Sequence, residues 1–500
     1  MKLMPWGVVL AGIALVSCQA RRQTLPPDVA KQVDKVFEKW NRPDSPGCAL
    51  GIYKDGQIVY KRGYGMANLN DDVPITPATV FHVASMSKQF TAASILLLAQ
   101  QGKLSLDDDV HKYIPELPDF GESITLRHLL HHTSGLRDQW SLLELAGWRY
   151  SQDLITDDDV MSVLVRQQAL NFKPGEKYMY SNSGFTLLAI IVKRVSGMSL
   201  REYTTKNIFE PLGMTHTHFR DDHEEVIKHD ALGYEQDGKD KPFRMNLTNF
   251  DTAGATSLHT TVEDLQLWDE NFYHPRVGGP ALIQQMLERG KLNSGEQQDY
   301  ASGLLIGTYK GLPTVDHGGA DAGYRSDLIR FPEQHFSAAV LCNFANTNPS
   351  ALVDQVADIL LARDLKAPGP GPAKKPANAA TVAMTAEQSV AAFDPTAAQL
   401  AAYPGSFVSQ EIDPVYRISL QDGKLTLLRL KHKPDTLRPT MRDVFVGEIG
   451  TVRFTRDAKQ HISGFILDAD RIQNFQFTRE NELDLGDHHQ RTPIKSLKGP

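Results

Sequence analysis

Ser85-Met86-Ser87-Lys88 sets a hydroxyl and an amine three residues apart, where an apolar stretch (Val80, Phe81, Val83) gives way to a helical pattern over residues 89–101. Residues three apart on a helix are surface neighbours, so a helix beginning near Ser85 brings the Lys88 amine to the Ser85 oxygen. The first turn of a helix also offers unpaired N–H groups and a partial positive charge, which suit a developing oxyanion. These are parts for acyl transfer: a nucleophile, a base and a place for negative charge. The bland alternative makes Ser85 an N-cap and Lys88 a solvated first-turn residue.

Two further segments carry matching chemistry. KPGEKYMYSNSGF supplies Tyr180-Ser181-Asn182 in a Gly/Pro-bounded loop, just ahead of a helical pattern over residues 185–195. A phenol and an amide there can face a cleft. Later, VDHGGADAGYRSDLIRF places His317-Gly318-Gly319 before an alternating, strand-like run. Paired glycines let backbone approach a ligand closely, and the next N–H, that of Ala320, can complete an oxyanion hole.

Taken in this order, S-x-x-K, Y-x-N and H-G-G resemble the serine hydrolases of the class C β-lactamase, penicillin-binding protein and esterase superfamily. The resemblance spans roughly residues 28–363 and is reinforced by ITLRHLLHHTSGL (124–136), IFEPLGMTHTHF (208–219) and TTVEDLQLW from Thr260. It implies an α+β, β-lactamase/transpeptidase-like fold, an antiparallel sheet with a helical subdomain. It also implies an acyl-enzyme on Ser85, with Lys88 or Tyr180 as base. A neutral serine hydroxyl needs such a base, and the two candidates titrate as a coupled pair. Asn182 then binds a substrate amide or holds Lys88, with a turn-forming Asn as the alternative.

His317 departs from a common pattern of the superfamily. Many β-lactamases and penicillin-binding proteins have Lys there, whose charge helps to bind a substrate carboxylate. An unperturbed imidazole, with a pKa of about 6.5, is mostly neutral at pH 7. H-x-G is familiar among the D-aminopeptidases and esterases of the superfamily, so small esters, amides and D-amino-acid-containing peptides are the expected substrates. A β-lactamase or DD-carboxypeptidase is one alternative, and a catalytically silent peptidoglycan-binding lipoprotein is another. Arg325 is either a substitute cation or a solvated strand residue. His131, His132, Thr133 and Ser134 follow a helical pattern and read as hydrogen-bonded loop support rather than as catalytic groups. His223 and Glu224 are not a zinc site, because the next histidine, His229, is off the i, i+4 spacing. No metal and no cofactor are expected.

Those residues need scaffolding, and 500 residues are too many for one ordinary core. A helix is expected over 28–40, followed by a hairpin, CALGIYK and QIVYKRGYG, turning at Asp55-Gly56. Strands return only near residues 304–344, with helical patterns between. The expected architecture is therefore an antiparallel sheet interrupted by a helical insertion, with the site at their junction. From Lys366 the chain turns rich in Pro, Ala and Gly, a linker over 364–395. Short strands separated by turns over 396–480 form a small all-β barrel or sandwich. It resembles the lipocalin-like domain often appended to these hydrolases, and the linker makes it a separable unit. Residues 481–500, with His488-His489, form a polar tail.

Residues 1–16 carry one early Lys and an apolar stretch too short to span a bilayer, which reads as an export signal. Leu15-Val16-Ser17-Cys18 resembles a lipobox, which implies acylation of Cys18 and a periplasmic or outer-membrane lipoprotein; an ordinary signal peptide is the alternative. The membrane, through that anchor, is thus an expected partner. Two of the three cysteines, Cys48 and Cys342, lie in runs that read as buried strands. In the resembled fold these share one sheet, so a disulfide is conceivable, but two free thiols is the favoured expectation. A net charge of −7 with no basic stripe argues against a nucleic-acid partner.

Overall fold

The computed structural model describes residues 24–366 and 393–480. Cys18, most of the expected linker and the polar tail lie outside the described residues. Helix α1 (Pro27–Val36) leads to the hairpin of β1 (Cys48–Lys54) and β2 (Gln57–Tyr64). Asp55 and Gly56 at its turn both adopt positive φ, 48° and 73°, the twist that a two-residue hairpin requires. The chain then leaves the sheet for α2 (Lys88–Gln100), α3 (Gln139–Leu145) and α4 (Asn182–Ser196), among shorter elements. It returns as β3 (Leu305–Tyr309), β4 (Leu312–Asp321), β5 (Tyr324–Phe331) and β6 (Phe336–Cys342), followed by α5 (Pro349–Leu360). Because β6 pairs with β1, the six strands run β3-β4-β5-β6-β1-β2, all antiparallel.

Side chains alternate across this sheet with period two. Cys48, Leu50 and Ile52 face one layer, packed with Val33 and Phe37 and with Val353 and Val356 of α5. Ala49 and Tyr53 face the other, where Phe90 of α2 and Trp268 fill the space under the helices. The register sets Cys48 directly opposite Cys342, their Cα atoms 4.0 Å apart, and the two are joined by a disulfide. This corrects the expectation of free thiols: two residues 294 positions apart share a face of adjacent strands, a juxtaposition set by register, not by local sequence.

The C-terminal unit is a closed barrel of eight antiparallel strands, from β7 (Gly405–Val408) to β13 (Ile462–Ala469) and β14 (Ile472–Glu480), sealed by pairing of β14 with β7. Phe407, Phe454, Phe465 and Phe477 are buried and pack on one another, so its interior is a core of side chains. The barrel docks firmly on the helical region. Arg137 is paired with Glu411, both sealed from solvent, Tyr416 Oη donates to Leu145 O at 2.9 Å, and Arg166 pairs with Asp413 at 2.7 Å. The linker composition suggests a separable barrel, and in the structure that barrel meets the helical region through a buried ion pair.

Candidate active site

Residues Ala84–Ser87 form a 3₁₀ turn that runs straight into α2. In such a turn i and i+3 eclipse each other, which brings Lys88 over Ser85. Ala84 has φ of 50°, a left-handed conformation that costs a non-glycine residue about 1–2 kcal/mol. The surroundings hold it there. Ser87 Oγ donates to Ala84 O at 2.5 Å and accepts from Leu258 N at 3.0 Å. From the other side, β4 crosses so closely that a Cβ on Gly319 would lie 2.2 Å from Val83 O, so only glycine fits. Gly318 and Ala320 flank this contact on the same strand.

Lys88 is fully buried, and its Nζ lies 3.0 Å from Ser85 Oγ, 2.9 Å from Asn182 Oδ1 and 2.6 Å from Ala255 O. None of these partners is charged. Burial therefore pushes the ammonium well below its ordinary pKa, assisted by Arg471 and opposed by Asp138 and Asp321. Once neutral, the amine can give two hydrogens to Asn182 and Ala255 and turn its lone pair to the Ser85 hydroxyl. Asn182 is the first residue of α4, and its own N and Nδ2 donate to Asp138 Oδ2 at 2.7 and 2.9 Å.

Tyr180 lies beside this group, with Lys88 Nζ 4.9 Å from its ring centroid. Burial raises the phenol pKa, against the lowering effect of the Ser85 hydroxyl and Arg471. The His132 ring packs on Tyr180 at 4.2 Å, and His132 Nδ1 accepts from Ser181 N at 3.2 Å, so His132 supports the loop that presents Tyr180. Thr133 O accepts from Gly175 N in the same loop.

His317 is also fully buried. Gly318 O, 2.7 Å from Nδ1, can only accept, so Nδ1 carries the proton and Nε2 accepts from Tyr300 Oη at 3.0 Å. Burial, with Lys88 adding to it, lowers its pKa to about 3, against the Gly318 carbonyl. The imidazole is thus neutral at any physiological pH. Arg325 does not supply the missing cation directly: its Nη1 donates to Ala322 O and Tyr324 O, which ties it to the β4–β5 turn. His223 Nδ1 sits 3.0 Å from both carboxylate oxygens of Asp251.

Three neighbours escaped the sequence reading. Tyr300 donates to His317 Nε2, across the ring from the proton that Gly318 O holds on Nδ1. Asp138 caps α3, accepting from Trp140 N at 3.0 Å, and orients Asn182. Arg471, in the turn between β13 and β14 of the barrel, has its guanidinium 5.0 Å from the Tyr180 ring centroid. Only Asp138 left a signal, as an acidic residue just before the helical run QWSLLEL.

A serine and a buried lysine at a strained helix start, faced by a tyrosine and by a glycine-bearing edge of an antiparallel sheet, define a serine hydrolase of the β-lactamase/transpeptidase fold. The chain belongs to the β-lactamase family, whose model, described as Beta-lactamase, matches residues 33–363. Protein flp of Staphylococcus aureus (strain N315) is 32% identical over 348 residues, 66% of this chain and 66% of that protein, so the chain spans just under two thirds of this relative's length. The octameric penicillin-binding protein homologue from Pyrococcus abyssi shares the fold with a TM-score of 0.60 at 24% identity, covering 90% of this chain and 100% of that one. D-amino acid amidase from Ochrobactrum anthropi SV3, complexed with L-phenylalanine amide, does so with a TM-score of 0.57 at 21% identity, over 67% and 99% of the two chains.

Proposed function

We propose that this chain is an exported serine hydrolase that forms an acyl-enzyme on Ser85 from small esters, amides or D-amino-acid-containing peptides. The observation that carries this reading is the buried Lys88 amine, 3.0 Å from Ser85 Oγ among neutral acceptors only. Burial shifts Lys88 toward its neutral form and Tyr180 away from its phenolate, so Lys88 is the better base of the pair. Ser85 Oγ gives its proton to Lys88 Nζ and bonds to the substrate carbonyl carbon. The N–H groups of Ser85 and Ala320 are the candidate donors to the oxyanion, with Gly318 and Gly319 keeping that wall close. The Tyr180 hydroxyl can pass a proton to the leaving alcohol or amine as the carbonyl reforms, with the proton held by Lys88 restoring Tyr180, and water then releases the acid from Ser85 and returns a proton to its Oγ.

A neutral His317, with its two ring nitrogens engaged by Gly318 O and Tyr300 Oη, offers a substrate no charge, which disfavours carboxylate-bearing β-lactams relative to neutral acyl donors. The amidase with the same fold makes D-amino-acid amides the first amides to test. Leu15-Val16-Ser17-Cys18 supports attachment to a membrane surface through an acylated Cys18. A fluorophosphonate probe with peptide mapping tests the reading. Label should fall on Ser85, vanish in Ser85→Ala with the fold intact, and fractionate with membranes unless Cys18 is changed to Ser. Label on another serine would end the proposal for Ser85, and soluble label with Cys18 intact would end that for the anchor.

A further inference from the structure

A cation beside the site comes from the barrel. Ala469 pairs with Ile472, so Asp470 and Arg471 form a two-residue turn at the tip of the β13–β14 hairpin. That tip is clamped to the helical region at three points. Asn171 Nδ2 donates to Arg471 O at 2.9 Å, Asn171 Oδ1 accepts from Gln473 N at 2.8 Å, and Ser141 Oγ donates to Asp470 Oδ2 at 2.9 Å. The side chain of Arg471 is only 18% exposed. Its Nη1 lies 3.4 Å from Asp138 Oδ2, the same oxygen that receives both donors of Asn182. The guanidinium covers the Tyr180 ring, and its buried Nε meets no acceptor.

We propose that Arg471 is a positioning residue for hydrolysis: through Asp138 and Asn182 it fixes Lys88, and from the face of Tyr180 it sets the electrostatics of the Lys88–Tyr180 pair, so that the barrel completes the site. The inference rests on Ser85 being the acylated residue. A chain of contacts runs from Arg471 to Asp138, to Asn182, to Lys88 Nζ, with each link between 2.7 and 3.4 Å. Arg471 stays charged there. Burial works against it, but Asp138, Asp470 and Tyr180 more than offset that and raise its pKa. Around Lys88 the other charged or titratable groups are Asp138, Asp321, His132 and His317, and both imidazoles are held neutral by burial. Tyr178 and Tyr300 face Tyr180 and stay protonated for the same reason. Arg471 is thus the one neighbour, among the described residues that act on Lys88, that opposes its ammonium with a permanent positive charge.

The sign follows from Coulomb's law. A cation near Lys88 disfavours the ammonium and favours the free base. Taking that cation away raises the pKa of Lys88 and also that of Tyr180, so nucleophile activation should require a higher pH. The rate constant for phosphonylation of Ser85 by a neutral fluorophosphonate, measured against pH on the full chain, reads this directly and needs no known substrate. In Arg471→Met the acidic limb should move up by about one pH unit. The rate at pH 7 should fall about 10- to 100-fold, the scale of a misplaced catalytic group. Arg471→Lys keeps a charge but loses the guanidinium fork, so it should hold the limb near its wild-type position while recovering only part of the rate. If Arg471→Met does not fold, Arg471→Lys and Asp138→Asn carry the test, since a positioning role requires a lower rate in both. Wild-type limb position with a rate within twofold in Arg471→Met, or in both substitutes, would overturn the proposal. So would an unmoved limb with a rise in KM confined to carboxylate-bearing esters, which would make Arg471 a substrate contact. Label absent from Ser85 in the wild type would instead refute the proposed function.

Discussion

Lys88 and Arg137 are both cations sealed from solvent, one in the cleft and the other at the seam with the barrel, and their surroundings treat the charge in opposite ways. Arg137 has the buried carboxylate of Glu411 beside it, while Lys88 has a hydroxyl, an amide oxygen and a carbonyl. Burial lowers the pKa of both groups, but only for Arg137 does a contacting carboxylate work to restore it. Guanidinium cannot give up its proton in a protein, so Arg137 must be paired. An amine can, so Lys88 is left where losing its proton is favourable and a hydroxyl is waiting. The same burial makes one cation a structural pin and, in the proposed reaction, the other a base.

The contrast can be broken at Lys88 first. Lys88→Met keeps the length and packing but removes the base, and Ser85 phosphonylation or ester kcat should fall by about 10²- to 10⁴-fold. The melting temperature should hold or rise, because no buried charge remains. A large loss of stability would mean that Lys88 is a structural cation like Arg137. Arg137→Met should do the reverse. It leaves Glu411 buried and unpaired, so denaturant unfolding should show a loss of about 3–5 kcal/mol, while the protein that stays folded still takes label on Ser85. Unchanged stability would show the seam to be weaker than its burial implies.

The smallest effect sharpens the contrast by adding a cation where the fold now holds a neutral base. His317→Lys should raise the ratio of nitrocefin to ester kcat/KM by about tenfold or more, as expected if a charge-assisted hydrogen bond contributes about 1.5–3 kcal/mol. In the wild type that ratio should be flat between about pH 5 and pH 8. His317, with its pKa down at about 3, gains no proton in that window. This revises what an unperturbed imidazole would do, namely favour the anionic substrate below pH 6. A ratio that rises toward pH 5 would show that His317 is protonated after all.

Much of the site was legible because its geometry is local. Ser85 and Lys88 meet through a single turn, and Tyr180 and Asn182 flank a helix start that the apolar pattern from Phe185 announces. Gly318 and Gly319 mark a strand under close approach, and the contact of Gly319 with Val83 O accounts for it. The loop histidines His131 and His132 read as support, and His132 serves in that way under Tyr180. The identity of His317 was plain, but its protonation was not. That depends on complete burial, to which the nearby Lys88 adds, and both are set by packing between distant segments.

By itself the sequence determined the elements and the chemistry they carry: an antiparallel sheet split by a helical insertion, a serine–lysine turn, a tyrosine and a histidine at the junction, and an all-β unit after a Pro/Ala-rich stretch. Those follow from periodicities of two and 3.6 residues and from side-chain types, all readable within a short window. Only the tertiary structure decided which distant residues meet. Strand register joined Cys48 to Cys342, and docking of the barrel brought Glu411 to Arg137 and Arg471 to Asp138 and Tyr180. An arginine in a two-residue turn has no local pattern to distinguish it from a solvated one. Its role comes from the surface that the turn is pressed against, and packing, not sequence spacing, sets that surface.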